Sequence, residues 1–120
     1  MNNQSVIKSL NIQSAFVGAL LVAVSINLFI IQMYKDITIN GSSSKYNTKQ
    51  IYNLAILSSS IFLIVTIYFF ISAYEEYENN KSNFNFNYYM ANVLSLNAQI
   101  IRVTTVLKYP ESIIGTQDII

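Results

Sequence analysis

NFNFNYYMANVLSLNAQIIRV, residues 83–103, runs without a charge from Asn83 to Ile101, long enough to cross a bilayer, yet it carries five asparagines and a glutamine. Whether it is a third membrane span or a helix that lies elsewhere decides the topology. Its polar side chains are not scattered. Asn85, Tyr88, Asn92, Ser95, Gln99 and Arg102 alternate spacings of three and four, which places them in one stripe down one helical face. A helix lying flat on a membrane usually carries a strongly charged face rich in Lys and Arg. This stripe offers amides and a single Arg. Tyr88 and Tyr89 at one end and Tyr109 at the other bracket about 30 Å of helix, and Pro110 suits a stop just beyond it.

Two neighbouring stretches are apolar enough to need no such argument. From Ser9 to Tyr34 no residue is charged, and AFVGALLVAVSINLFIIQM, residues 15–33, makes about 29 Å of helix, the thickness of a hydrocarbon core. A second uncharged stretch from Gln50 to Tyr74 contains LAILSSSIFLIVTIYFFISA, with Tyr52 and Tyr74 where interfacial aromatic belts fall. A chain of 120 residues has no shell of polar elements to cover two helices apolar on nearly all sides. Loop charge then bears on the third helix. Three spans put Lys35, Lys45, Lys49 and Lys108 on one side, with Arg102 snorkelling toward it, against Lys8 and Lys81 on the other. With two spans the bias falls to four against three.

The expected fold is therefore all-α: a small integral membrane protein with a two-helix transmembrane hairpin and a third, polar-striped helix. That third helix is read as a marginal span in preference to a surface amphipathic helix. The expected segments are a polar N-terminal tail (1–14), a first span (15–34), an exposed loop (35–51), a second span (52–74), an acidic, Asn-rich linker (75–87), the third helix (88–108) and a C-terminal tail (109–120).

Helices associate in lipid through close packing and hydrogen bonds rather than hydrophobic burial, so small and polar residues mark contacts. In the first span Ser14, Gly18, Ser25 and Gln32 are spaced by four, seven and seven; in the second Ala55, Ser59, Thr66 and Ala73 repeat that spacing. These two stripes are the expected helix–helix contact of an antiparallel hairpin, with Gly18 at the closest approach. Asn27 lies off the first stripe, following Ala15, Ala19 and Ala23 at four-residue steps, and asks for a second partner. A buried amide is costly unless it is paired, and a bond to another helix is the expectation. The intramembrane polar stripe of Asn92, Ser95, Gln99 and Arg102 is expected to turn toward Asn27, Gln32 or another subunit.

The chain has no cysteine and no histidine, which excludes disulfides, thiolate and imidazole ligands, and catalysis based on either residue. No phosphate-binding, dinucleotide-binding or zinc-hydrolase motif occurs, and no base is placed to activate the serines. No catalytic, cofactor or metal site is expected; Glu75, Glu76 and Glu78 read as a solvated helix end rather than a cation site. Seven scattered basic residues and a net charge of +1 give no nucleic-acid footprint. The expected partners are the lipid bilayer, other membrane or capsid proteins, or copies of the chain itself. No small-molecule substrate is indicated.

Heavy use of Ile, Asn and Tyr, densest in NNKSNFNFNYY (residues 79–89), with a polar-striped third helix ending in IIRVTTVLKYP (residues 100–110), resembles the small multi-span membrane proteins of large nucleocytoplasmic DNA viruses. The resemblance is one of composition and architecture. It implies a structural or assembly role in an internal virion membrane. The readings from other classes are a small oligomeric channel, with Asn27, Ser25, Gln32 and the amide stripe lining a polar lumen, and an accessory subunit of a transporter or respiratory complex.

Overall fold

The computed structural model describes residues 3–108, which form three helices: α1 (Asn3–Asn40), α2 (Thr48–Asn79) and α3 (Asn83–Lys108). No strand occurs among the described residues. The fold is all-α. α1 and α2 are long and apolar enough to cross a membrane; α3 has the length but a more polar composition.

The helices run well past the apolar stretches that nucleate them. α1 has 38 residues, about 57 Å, and takes in the expected tail from Asn3 onward together with the first part of the expected loop. Once a helix exists, each further residue adds a hydrogen bond at little entropic cost, and nothing in residues 3–17 is Gly or Pro. The helix stops at Gly41, whose φ of +56° only glycine adopts without strain. A single 3-10 turn, Gly41–Ser43, follows, so the expected loop shrinks to residues 44–47. Within this turn Asp36 accepts from Asn40 Nδ2 and from Ser44 Oγ, and Ser44 Oγ in turn accepts from Tyr46 N.

α2 opens on a reciprocal cap. Asn47 Oδ1 accepts from Gln50 N and Gln50 Oε1 accepts from Asn47 N, each at 2.9 Å, which satisfies two donors that a helix start leaves free. The expected linker of residues 75–87 is helical except for Asn80, Lys81 and Ser82. Ser82 Oγ caps α3 by accepting from Asn85 N, and Asn85 Nδ2 reaches back to the Asn80 carbonyl at 2.7 Å. Polar composition was mistaken there for loop; the caps, not the polarity, set the ends. The C-terminal tail, with Tyr109 and Pro110, lies outside the described residues.

α2 lies between the other two helices. It packs on both α1 and α3, whereas no Cα of α1 comes within 8 Å of one in α3 among the described residues. Ile30 and Met33 of α1, Ile51 and Ala55 of α2 and Val106 of α3 form one apolar cluster, flanked by Tyr34, Ile37, Tyr46 and Tyr52. All three helices meet there, at the end that carries the α1–α2 connection. At the opposite end every α1 residue from Asn3 to Ala15 is exposed. The bundle, 59 × 27 × 18 Å, is thus closed at one end and splayed at the other.

Truncating Ile30, which is fully buried in the cluster, is expected to lower unfolding stability by about 2 kcal/mol through the cavity it leaves. Leu28→Ala, at an exposed position two residues away, should leave it nearly unchanged. Unfolding in detergent micelles followed by circular dichroism checks both; an Ile30→Ala protein as stable as the parent would contradict the cluster.

Candidate functional site

The chain offers two helix interfaces where side-chain chemistry is concentrated. On α1 the enclosed residues include Phe16, Ala19, Ala23, Ile26, Asn27, Ile30, Met33 and Ile37, alternating near three and four, a heptad-like seam against α2, with Gly18, Leu20, Tyr34 and Asp36 half-buried beside it. Ala23 and Ile30 have no exposed surface. Opposite them Ser58, 2% exposed, places Oγ 2.6 Å from Asn27 Oδ1 and 3.3 Å from the Ala23 carbonyl oxygen. One hydroxyl proton is thereby directed at two acceptors on the neighbouring helix. Parallel stacking of Phe16 on Tyr68, centroids 4.0 Å apart, and an edge-on contact of Phe29 with Tyr46 fix the same antiparallel register.

This seam corrects the expectation for α1. Ser14, Ser25 and Gln32 are exposed, Ser25 donates to Leu21 O of its own helix, and a Cβ built on Gly18 would meet nothing within 4 Å. The stripe lies on the side away from α2, about 180° from Ala23 and Ile30. Its heptad spacing is real, but an equally regular seam of larger apolar residues buries more surface. Asn27, rather than the stripe, is where α1 meets its partner.

On α2, Ala55, Ser59 and Ala73 are buried and Thr66 is half-buried, donating to Phe62 O at 2.7 Å. This stripe shares a face with Phe62, Phe70 and Tyr77, and those rings touch α3. Phe70 and Tyr77 pack on Tyr89, Tyr77 on Phe86, and the Arg102 guanidinium stands 5.8 Å from the Phe62 centroid. The face toward α3 and the face toward α1, marked by Ile51, Ser58, Val65 and Tyr68, lie about 100° apart. With helix axes about 9–10 Å apart, that angle holds the axes of α1 and α3 about 15 Å from each other.

The enclosed side of α3 runs Asn85, Tyr89, Asn92, Leu96, Gln99, Val103 and Val106. Three amides of the polar stripe are therefore turned to α2; of the expected partners Asn27, Gln32 or another subunit, the first two lie on α1, whose backbone stays more than 8 Å from that of α3 among the described residues. Asn92 Nδ2 donates to Tyr88 O at 2.8 Å, while Gln99 Oε1 is enclosed with no protein partner. Ser95 is exposed. The outward side of α3 carries Phe84, Met90, Leu94, Ile100, Ile101 and Leu107. Sequence reasoning missed Ser58, one of three consecutive serines; the signal that singles it out is its seven-residue spacing from Ile51 and Val65.

Among the described residues no group of three or more acidic, His or Cys side chains is placed to hold a metal. The chain matches no protein-family model, no curated protein and no solved structure.

A double-mutant cycle on Asn27→Leu and Ser58→Ala is expected to give a coupling of about 1 kcal/mol, the scale of interhelical hydrogen bonds in membranes. Gly18→Leu should leave stability unchanged, since its surroundings are open. Unfolding in micelles reads all of these; zero coupling, or a loss from Gly18→Leu as large as from Asn27→Leu, would contradict the seam.

Proposed function

We propose that the chain is an integral membrane protein with three spans that serves as a structural or assembly subunit of a membrane-embedded complex, acting through helix packing rather than chemistry. The observation that carries this reading is the imbalance of apolar surface. Eight apolar residues are buried, while twenty-five large ones are exposed among the described residues. Only 11% and 22% of the most apolar windows of α1 and α2 lie inside the fold, so neither helix is the core of a water-soluble domain. The exposed faces suit lipid.

The orientation of α3 supports its placement as a span. A surface helix would turn its amides to water; here Asn85, Asn92 and Gln99 face α2, and the exposed side is mainly aliphatic and aromatic, with Asn87 and Asn97 among it. Charge supports one direction of insertion. The closed end carries Lys35, Lys45, Lys49 and Lys108 against Asp36, and belongs on the cytoplasmic side by the positive-inside rule. The amides line no lumen within one chain, which favours scaffold over channel. The compositional resemblance supplies the setting proposed for it, an internal virion membrane.

Co-purification from native membrane tests the role: a partner set at fixed stoichiometry supports a structural subunit, whereas ion flux from the reconstituted chain alone would replace that reading with a channel. Placement is checked separately with engineered glycosylation sequons on polar extensions beyond each terminus. Three spans should allow modification at the N-terminus alone; matching outcomes at both termini would put α3 on the surface.

A further inference from the structure

The splayed end of the bundle is acidic. It holds Glu75, Glu76 and Glu78 against Lys8 and Lys81, the reverse of the basic closed end. Between the helices at this end lies a cleft of about 440 Å³, within the range of small-ligand sites and contributed to by all three helices. Gln13 comes from α1, Glu75 and Glu76 from α2, and Phe84, Asn85 and Tyr88 from α3.

The lining is rich in acceptors and aromatic faces and contains no cationic side chain. Neither Glu75 nor Glu76 is paired with a basic group among the described residues. Glu76 stands in the last turn of α2, where unpaired carbonyls make the negative end of the helix dipole and basic residues are normally favoured; that turn has none. Asn85 is only 9% exposed. Its Nδ2 is committed to the carbonyls of Asn80 and Glu76, at 2.7 and 3.4 Å, which leaves Oδ1 as an acceptor at the cleft wall. The rings of Phe84 and Tyr88 lie parallel with centroids 6.3 Å apart, and both are exposed. Lys81 does not neutralise the site: its ammonium lies over Tyr77, outside the lining.

Carboxylates, an amide oxygen and π faces around one space are the groups that recognise a substituted ammonium. We propose that this cleft binds the ammonium group of a zwitterionic phospholipid headgroup, with Glu75, Glu76 and the Asn85 carbonyl facing the charge and Phe84 and Tyr88 against the methylene carbons next to it. The inference rests on the membrane placement proposed above, which sets the end of the 52–74 span, and hence the cleft, at headgroup level. A lipid rather than a free amine follows from this depth.

The test is native mass spectrometry of the full chain released from micelles doped with equal phosphatidylethanolamine and phosphatidylglycerol of the same acyl chains. The parent protein is expected to retain the ethanolamine lipid about fivefold over the glycerol lipid. Glu75→Gln with Glu76→Gln should bring the ratio to parity, and Tyr88→Ala should about halve it, with helicity unchanged in both. Equal retention by the parent, or selectivity untouched by the double substitution, overturns the proposal. Tyrosine-fluorescence titration with soluble tetramethylammonium adds an arm: binding of that cation without lipid selectivity would overturn the lipid assignment. Alkaline carbonate extraction keeps the two failures apart. A chain that washes off the membrane fails the placement, whereas an embedded chain without selectivity fails only the cleft.

Discussion

Two helices apolar on nearly all sides would gain little from meeting each other in lipid, and among the described residues polar side chains lock across the hairpin at one point. Ser58 on α2 directs its hydroxyl at Asn27 Oδ1 and the Ala23 carbonyl on α1. Ala23 has no exposed surface, and its small side chain lets α2 approach closely enough for that hydroxyl to reach the backbone. The bond sets the rotation of α2. Once Ser58 points at α1, the stripe of Ala55, Ser59, Thr66 and Ala73 must point about 75° away, and α3 is the element that covers it.

That rotation explains why α3 can afford its composition. Asn85, Asn92 and Gln99 would be costly facing hydrocarbon, yet each is turned to α2, which leaves Asn87 and Asn97 outside among the leucines and isoleucines. The arrangement inverts the usual surface amphipathic helix. It also leaves the bundle asymmetric: apolar and closed where Ile30, Ile51 and Val106 meet, polar and open where the α2–α3 turn is held by Asn85 and Ser82. Because α1 and α3 each pack on α2 and their backbones stay apart, the splayed end becomes a cleft.

Much of this was legible in the sequence. The three helices and the regular stripe on α3 follow from period and length, signals that survive without knowledge of neighbours. Helix ends were less legible: residues 3–14 and 75–79 look like tail and linker because they are polar, but polarity alone does not stop a helix that is already nucleated. The contact face of α1 was misread for a different reason. Ser14, Gly18, Ser25 and Gln32 obey the small-residue rule, while Phe16, Ala23, Ile30 and Ile37 obey the same seven-residue spacing with more bulk, and spacing cannot rank two seams. Asn27 was recognised as needing a partner, but choosing Ser58 from three consecutive serines required the rotation of α2. The buried, unpaired Gln99 Oε1 has no sequence signal at all.

The direction in which α3 points its amides tests this account most directly. Single cysteines at positions 92, 94, 99 and 101, in an otherwise Cys-free chain, can be labelled in the reconstituted protein and probed with a water-soluble and a lipid-soluble quencher. Labels at Leu94 and Ile101 should be reached from the lipid while those at Asn92 and Gln99 should be shielded from both quenchers. Strong aqueous quenching at Asn92 and Gln99 would contradict it, since those amides would then face water and α3 would lie on the surface rather than against α2.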